Sequence, residues 1–145
     1  MSRMILTRTI DAPVDLVFQA VADIRQFSQA LPHIVKVEFL SDKQSGLGTR
    51  FRETRLMHGK EATTELAVTE YVENERIRLV THEIHGTVWD TLFVVKPEGG
   101  RTELKMTMDA ITNKLTAKIF NFLISGMIKK AVAKDLDGVK VFCER

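Results

Sequence analysis

Residues 114–142 read KLTAKIFNFLISGMIKKAVAKDLDGVKVF, and the periodicity of this stretch decides the architecture. Projected at about 100° per residue, its second half carries one apolar stripe of Val132, Leu136, Val139 and Cys143. Lys130, Lys134, Asp137 and Lys140 occupy the other side. The stripe runs backward through Ile128, Ser125, Ile124 and Ala117. A helix over this range is on the order of 40 Å long, enough to cross a whole sheet. Its first half is also apolar off the stripe, at Ile119, Phe122, Leu123 and Met127. A helix that is apolar nearly all round is either covered on both sides or exposed for a reason. Gly126, in the middle, reads as a kink or as a point of close packing.

Upstream of this helix the period changes to two. Segments 49–58, 60–71, 76–84, 87–97 and 101–110 suit strands, and 34–40 is a further apolar, β-branched run. The links are short. His58-Gly59 and Ile84-His85-Gly86 are turns, Glu73-Asn74-Glu75 is a polar loop, and Pro97-Glu98-Gly99-Gly100 is a hairpin signal. Such links join antiparallel neighbours, because parallel strands need a long crossover. At the other end, residues 3–10 read as a strand. After Asp11-Ala12-Pro13, the residues Val14, Val17, Phe18 and Val21 recur at helical spacing. That helix should stop near Asp23, and a second short one over 24–31 ends at Pro32, whose ring pushes its predecessor out of the α region. The expected class is α+β: one strand, two short helices, six strands and a long helix, with the curved antiparallel sheet wrapped around that last helix.

Composition bounds what such a chain can do. Its 145 residues are 44% hydrophobic and 28% charged, with a net charge of +2, as in an ordinary globular domain. One domain over residues 1–145 is expected, with enough apolar stock for a real core. The single cysteine, Cys143, excludes an internal disulfide and any multi-cysteine zinc site. The small positive excess argues against a nucleic-acid partner. Residues 1–8 lack the apolar core of a signal peptide, so the cytosol is the expected compartment.

Several short motifs keep a fixed order along the chain. Ile10-Asp11-Ala12-Pro13 leads into Val17-Phe18, Ala22-Asp23 closes the first helix, and Leu31-Pro32 precedes the second strand. Gly46-x-Gly48-Thr49 precedes the third. Pro97-Glu98-Gly99-Gly100-x-Thr102-x-Leu104 forms the last hairpin, and Ala133-x-Asp135-Leu136-x-x-x-Lys140 lies in the final helix. In this order they resemble the START-like (SRPBCC) superfamily of helix-grip proteins, of polyketide cyclase/dehydrase and lipid-transport type. The resemblance implies a cavity between sheet and C-terminal helix that accepts a hydrophobic ligand. It does not fix an activity, because one fold hosts carriers, receptors and enzymes.

Strand alternation labels the wall of such a cavity. Phe51 and Met57 share a face with Glu53 and Arg55. Thr64, Leu66 and Val68 form the next apolar set, followed by Ile77 and Leu79 with Thr81 and Glu83 in phase. Trp89, Thr91, Phe93 and Val95 are chosen over Asp90, Leu92 and Val94, and Leu104, Met106 and Met108 finish the wall. The expected ligand contacts are Phe51, Glu53, Arg55, Leu66, Val68, Trp89, Phe93, Met106, Met108, Phe122 and Met127, the last two from a helical segment, 119–127, read as a movable lid. Without the resemblance, the plain reading of the apolar members is simply core.

Glu53 and Arg55 are the informative pair, since two opposite charges on an inward face must pair or border a wet pocket. They read as a structural ion pair or as contacts to a polar head group, with acid–base catalysis a third use. His82-x-x-His85 has the wrong spacing for one metal on a strand, even with His33, His58 or Glu83 nearby. No Gly-x-Ser-x-Gly elbow is present, and Gly46-x-Gly48 lacks the lysine of a phosphate loop. Tyr71, at a strand end, reads as a rim residue.

The leading expectation is binding or carriage of a small hydrophobic or amphipathic molecule (a lipid, quinone or polyketide-like compound), with no cofactor and no metal. An alternative is a cyclase/dehydratase with Glu53 as base and Arg55 polarising a carbonyl. Another is an interaction module dimerising through the apolar half-helix, so monomer and homodimer both stay open. Lys129, Lys130 and Lys134 beside that half-helix also allow transient contact with an anionic membrane, although a solvated face is the plainer reading.

Overall fold

The alternating segments pair into one antiparallel sheet of seven strands in the order β1-β7-β6-β5-β4-β3-β2. The computed structural model describes residues 2–145. Its elements are β1 (Ser2–Ile10), α1 (Val14–Ala22), α2 (Ile24–Ala30), β2 (Ile34–Phe39), β3 (Arg50–Met57), β4 (Lys60–Val72), β5 (Arg76–Thr81), β6 (Val88–Glu98), β7 (Arg101–Ile111) and α3 (Leu115–Cys143). From β2 to β7 the sheet is a meander, and β1 returns to close the far edge against β7. This is the helix-grip arrangement expected from the order of elements.

Local chemistry sets the turns. The β3–β4 hairpin is closed by His58 and Gly59 at φ of 52° and 77°, the left-handed pair that matches the twist of the flanking strands. Asp23 ends one helix and starts the next: its N–H donates to the Gln19 carbonyl at 3.0 Å, and its side chain accepts from the Arg25 N–H at 3.0 Å. One segment departs from the expected pattern. β5 stops at Thr81 instead of reaching residue 84, because Ile84 and Thr87 exchange backbone hydrogen bonds in a tight turn of their own. Glu83 consequently leaves the wall and lies exposed in the loop.

The core fills one end of the concave face. Val17, Phe18 and Val21 of α1 meet Leu31, Val95, Leu104 and Met106, and Val132, Leu136, Val139 and Cys143 of α3 close over them. Tyr71 stacks edge-on against Phe18 with ring centroids 5.4 Å apart, so it is a packing residue. The outer face of the sheet is polar. Arg78 bridges Glu70 and Asp90, Arg76 also meets Glu70, and Arg3 forks onto Asp109 at 2.8 and 3.1 Å. Hydrogen bonding from Arg3 holds the Asp109 carboxyl below its usual range. That contribution is therefore present above a pH of about 4 and is lost as the carboxyl protonates in acid.

The two halves of α3 are held very differently. The C-terminal half is clamped. Asp137 accepts from Arg8 at 2.7 Å, Lys140 donates to the Thr9 carbonyl at 2.6 Å, and Glu144 just beyond the helix accepts from the Asp11 N–H at 2.8 Å. Between Leu115 and Ala131 only Ala117 and Asn121 are buried, and Asn121 donates to the Thr87 hydroxyl at 3.0 Å.

Two glycines in this helix give opposite expectations for the same substitution. A Cβ at Gly138 would lie 2.7 Å from Leu31 Cδ2 and 3.1 Å from the Ala30 carbonyl oxygen, whereas one at Gly126 would meet nothing within 4 Å. Gly126 therefore serves no close packing. Gly126→Ala is expected to stabilise by about 0.5–1 kcal/mol through helix propensity. Gly138→Ala should cost about 1–3 kcal/mol through overpacking against the buried Leu31. Urea unfolding of the two variants checks both signs.

Candidate functional site

Because α3 packs mainly on β1, α1 and α2, a space remains between it and the middle of the sheet. It is a cavity of about 370 Å³, within the range of small-ligand pockets. The strand face chosen from alternation is the face that lines it: Phe51 from β3, Thr64, Leu66 and Val68 from β4, Leu79 and Thr81 from β5, Trp89, Thr91 and Phe93 from β6, and Met106 and Met108 from β7. Val21, Ala22, Ile24 and Phe27 of the two short helices close one end. Ile128, Ala131, Val132 and Leu136 form the helical wall, and Met57, Ile84 and Met127 also reach the space. Val95 and Leu104, on the same strand face, are instead buried in the core beside it. The other expected helix contact falls elsewhere: Phe122 is 78% exposed and lies outside the cavity lining. Of segment 119–127, only Met127 borders the cavity. The reason is rotational, since Phe122 points roughly a quarter-turn or more away from the buried stripe.

Inside this mainly apolar lining sits one charged cluster. Glu53 and Arg55 point inward from β3, and Asp135 reaches them from α3. Arg55 Nε donates to Glu53 Oε1 at 3.0 Å, and Arg55 Nη1 donates to Asp135 Oδ2 at 2.8 Å. His33, at the head of β2, completes the group: its Nε2 is 3.2 Å from Arg55 Nη1 and 3.2 Å from Asp135 Oδ1. A donor and an acceptor thus compete for one ring nitrogen. It accepts from Arg55 when unprotonated and donates to Asp135 when protonated. Burial works against the Arg55 charge, and the Glu53 and Asp135 carboxylates outweigh it, holding the guanidinium above its ordinary range. One cation shared by two carboxylates leaves the cluster with a net negative charge while His33 is neutral. Glu53 Oε2 accepts from no protein group among the described residues, so the cluster keeps one unshared acceptor oxygen.

A model of the family described as polyketide cyclase / dehydrase and lipid transport matches residues 1–144. The chain belongs to this family. Solved structures extend the likeness of fold. The Zhui aromatase/cyclase from Streptomyces sp. R1128 is 22% identical, with 99% of this chain and 94% of that one covered at a TM-score of 0.82. TTHA0849 from Thermus thermophilus is 19% identical over 98% and 97%, at 0.78. A START superfamily protein from Mycobacterium smegmatis is 19% identical over 95% and 96%, at 0.73. No curated protein matches the chain. The family thus has the helix-grip fold here, with a curved antiparallel sheet and a long C-terminal helix.

Asp135 and His33 are the members of the cluster that strand alternation alone does not single out. For Asp135 a signal was present: it follows Val132 by three and precedes Val139 by four, so it is a carboxylate on the apolar stripe. The remaining histidines do not converge with it. His82 meets Glu65 at 2.9 Å, and His58 and His85 sit in turns with positive φ. Among the described residues no three His, Cys, Asp or Glu side chains are arranged to hold a metal ion. Burial pushes the Cys143 thiol up to about 11, which makes it a poor nucleophile. No helix among the described residues is long and apolar enough to cross a membrane.

Proposed function

We propose that residues 1–145 form one ligand-binding unit that takes a small, mainly apolar molecule with a hydrogen-bond-donating polar group. The observation that carries this reading is the single charged cluster inside a mainly apolar cavity. Phe51, Leu66, Val68, Trp89, Phe93, Met106 and Met108 would enclose the apolar body. The methionines, being flexible and polarisable, adapt to its outline. The polar group would sit at Glu53 and Arg55. A carboxylate or phosphate there would face the excess negative charge of Glu53 and Asp135, whereas a hydroxyl or phenol would donate to Glu53. The family supports hydrophobic ligands in general; the preference for a donor comes from the charge count.

A matched pair of ligands tests it. At saturating concentration, about a hundred times Kd, a ligand stabilises by ~2.7 kcal/mol, on the order of 5–10 °C in Tm for a chain of this size. Medium-chain alcohols are expected to produce such a shift at neutral pH, and carboxylic acids of equal length a much smaller one. Equal shifts, or a preference for the acids, would remove the donor rule. No shift with any lipophile would remove the binding reading.

The unshared oxygen of Glu53 favours a second reading, a cyclase/dehydratase. Glu53 would take a proton from a carbon beside a carbonyl that Arg55 polarises. Glu53→Gln should then leave ligand affinity within a few fold while abolishing turnover of the bound compound.

A further inference from the structure

We propose that the outer face of the N-terminal half of α3 docks on an anionic lipid surface, with the cavity mouth beside the contact. This inference concerns a surface and does not rest on what the cavity holds. Leu115, Phe122 and Leu123 are 72%, 78% and 73% exposed, and Ile119, Phe120 and Met127 are more than half exposed. Their spacing in the helix puts Leu115, Ile119, Phe122 and Leu123 along one outward face. A contiguous apolar face of this kind on a folded chain marks an interaction site.

Charge selects the occupant. Five lysines, Lys114, Lys118, Lys129, Lys130 and Lys134, accompany the patch, and no carboxylate occurs between Asp109 and Asp135. None of the five forms an ion pair among the described residues. A second copy docked through the same face would bring like charges together with nothing to neutralise them, since a two-fold contact places the same patch on both sides. An anionic bilayer supplies both missing partners: acyl chains for Phe122 and Leu123, and head-group phosphates for the lysines.

The patch is also continuous with the cavity. Met127 belongs to both, and Met57 on the β3–β4 hairpin, 40% exposed, also lines the cavity. Beneath the same half-helix, a small void lies between Ser125 and Ile128 of α3 and Met4, Trp89 and Met108 of the sheet. A surface contact here would sit beside Met57 and Met127, where the cavity lining reaches solvent.

Flotation of the full chain with vesicles provides the test. Binding is expected to phosphatidylcholine vesicles containing phosphatidylglycerol and not to phosphatidylcholine alone, and it should weaken as salt rises. Phe122→Ser with Leu123→Ser should abolish it while leaving the melting temperature unchanged, because both side chains are already in water. Each lysine replaced by glutamine, Lys129→Gln or Lys130→Gln, should lower affinity about fivefold. Absence of binding to the anionic vesicles at low salt overturns the proposal, as does undiminished binding of the double serine variant. A concentration-dependent dimer in light scattering that the double variant abolishes also overturns it, since the occupant would then be a second copy.

Discussion

Replacing Arg55 with methionine is expected to lower stability by about 3–5 kcal/mol, the cost of removing one partner from a buried ion pair. The loss arises because Glu53 and Asp135 stay in place, each only about a tenth exposed, and face each other without the cation between them. His33, the remaining member of the cluster, can supply one positive charge at most, and only when protonated. The cost should therefore be recovered by neutralising the carboxylates: Arg55→Met combined with Glu53→Gln and Asp135→Asn is expected to return most of the wild-type stability. Chemical denaturation of the single and triple variants measures both. If Arg55→Met alone proved nearly neutral, the cluster would be solvated through the cavity and its ion pairs would count for little. The triple variant also probes binding. It folds but lacks the carboxylate acceptors, so the expected preference for alcohols over the matching acids should disappear in it.

Leu136→Ala should cost about 2–5 kcal/mol and at the same time change what the protein accepts. Leu136 is 1% exposed, packed between Val132 and Val139, and it forms both core and cavity wall. Truncation removes roughly three carbons, with a transfer cost plus a cavity cost that depends on how far the neighbours relax. The new space adjoins an existing cavity, so a guest can fill it. The optimum length in a series of aliphatic alcohols is therefore expected to increase, and a well-fitting longer alcohol should recover part of the lost stability. An unchanged optimum would mean that α3 collapses onto the sheet instead.

How much of this was legible beforehand follows the range of the interactions. The strands and their faces were legible because period two is local. In β6 the pleat sorts the residues into two sets that are both largely apolar, and the structure places the chosen set, Trp89, Thr91, Phe93 and Val95, on the inner face. The helix stripe at Val132, Leu136 and Val139 was legible for the same reason. The charge cluster was half legible. Glu53 and Arg55 are neighbours on one strand, but Asp135 lies 80 residues beyond Arg55 and meets it only when α3 is laid across β3. The place of Phe122 off the buried stripe was already in the helical period, whereas the register shifts in β2 and β4 depend on packing among several elements, and no local pattern encodes them.

The return of β1 to the far edge has a kinetic consequence. Every other pairing in the sheet joins strands that follow one another, so the hairpins from β2 to β7 can form as each emerges. β1 alone has its partner far along the chain: Ile10 faces Thr102, and Arg3 bonds Asp109, 106 residues later. During synthesis β1 emerges before β2–β7 and yet is among the last of the seven strands to be paired. Until β7 is complete, Met4, Ile5 and Leu6 belong to an unpaired β-prone segment, the kind that chaperones protect or aggregates recruit. The loop that must close is long, so its slow step is the search that joins the two ends. Folding speed in this chain should therefore respond more to changes in the β1–β7 pairing than to equal losses of stability in the central hairpins.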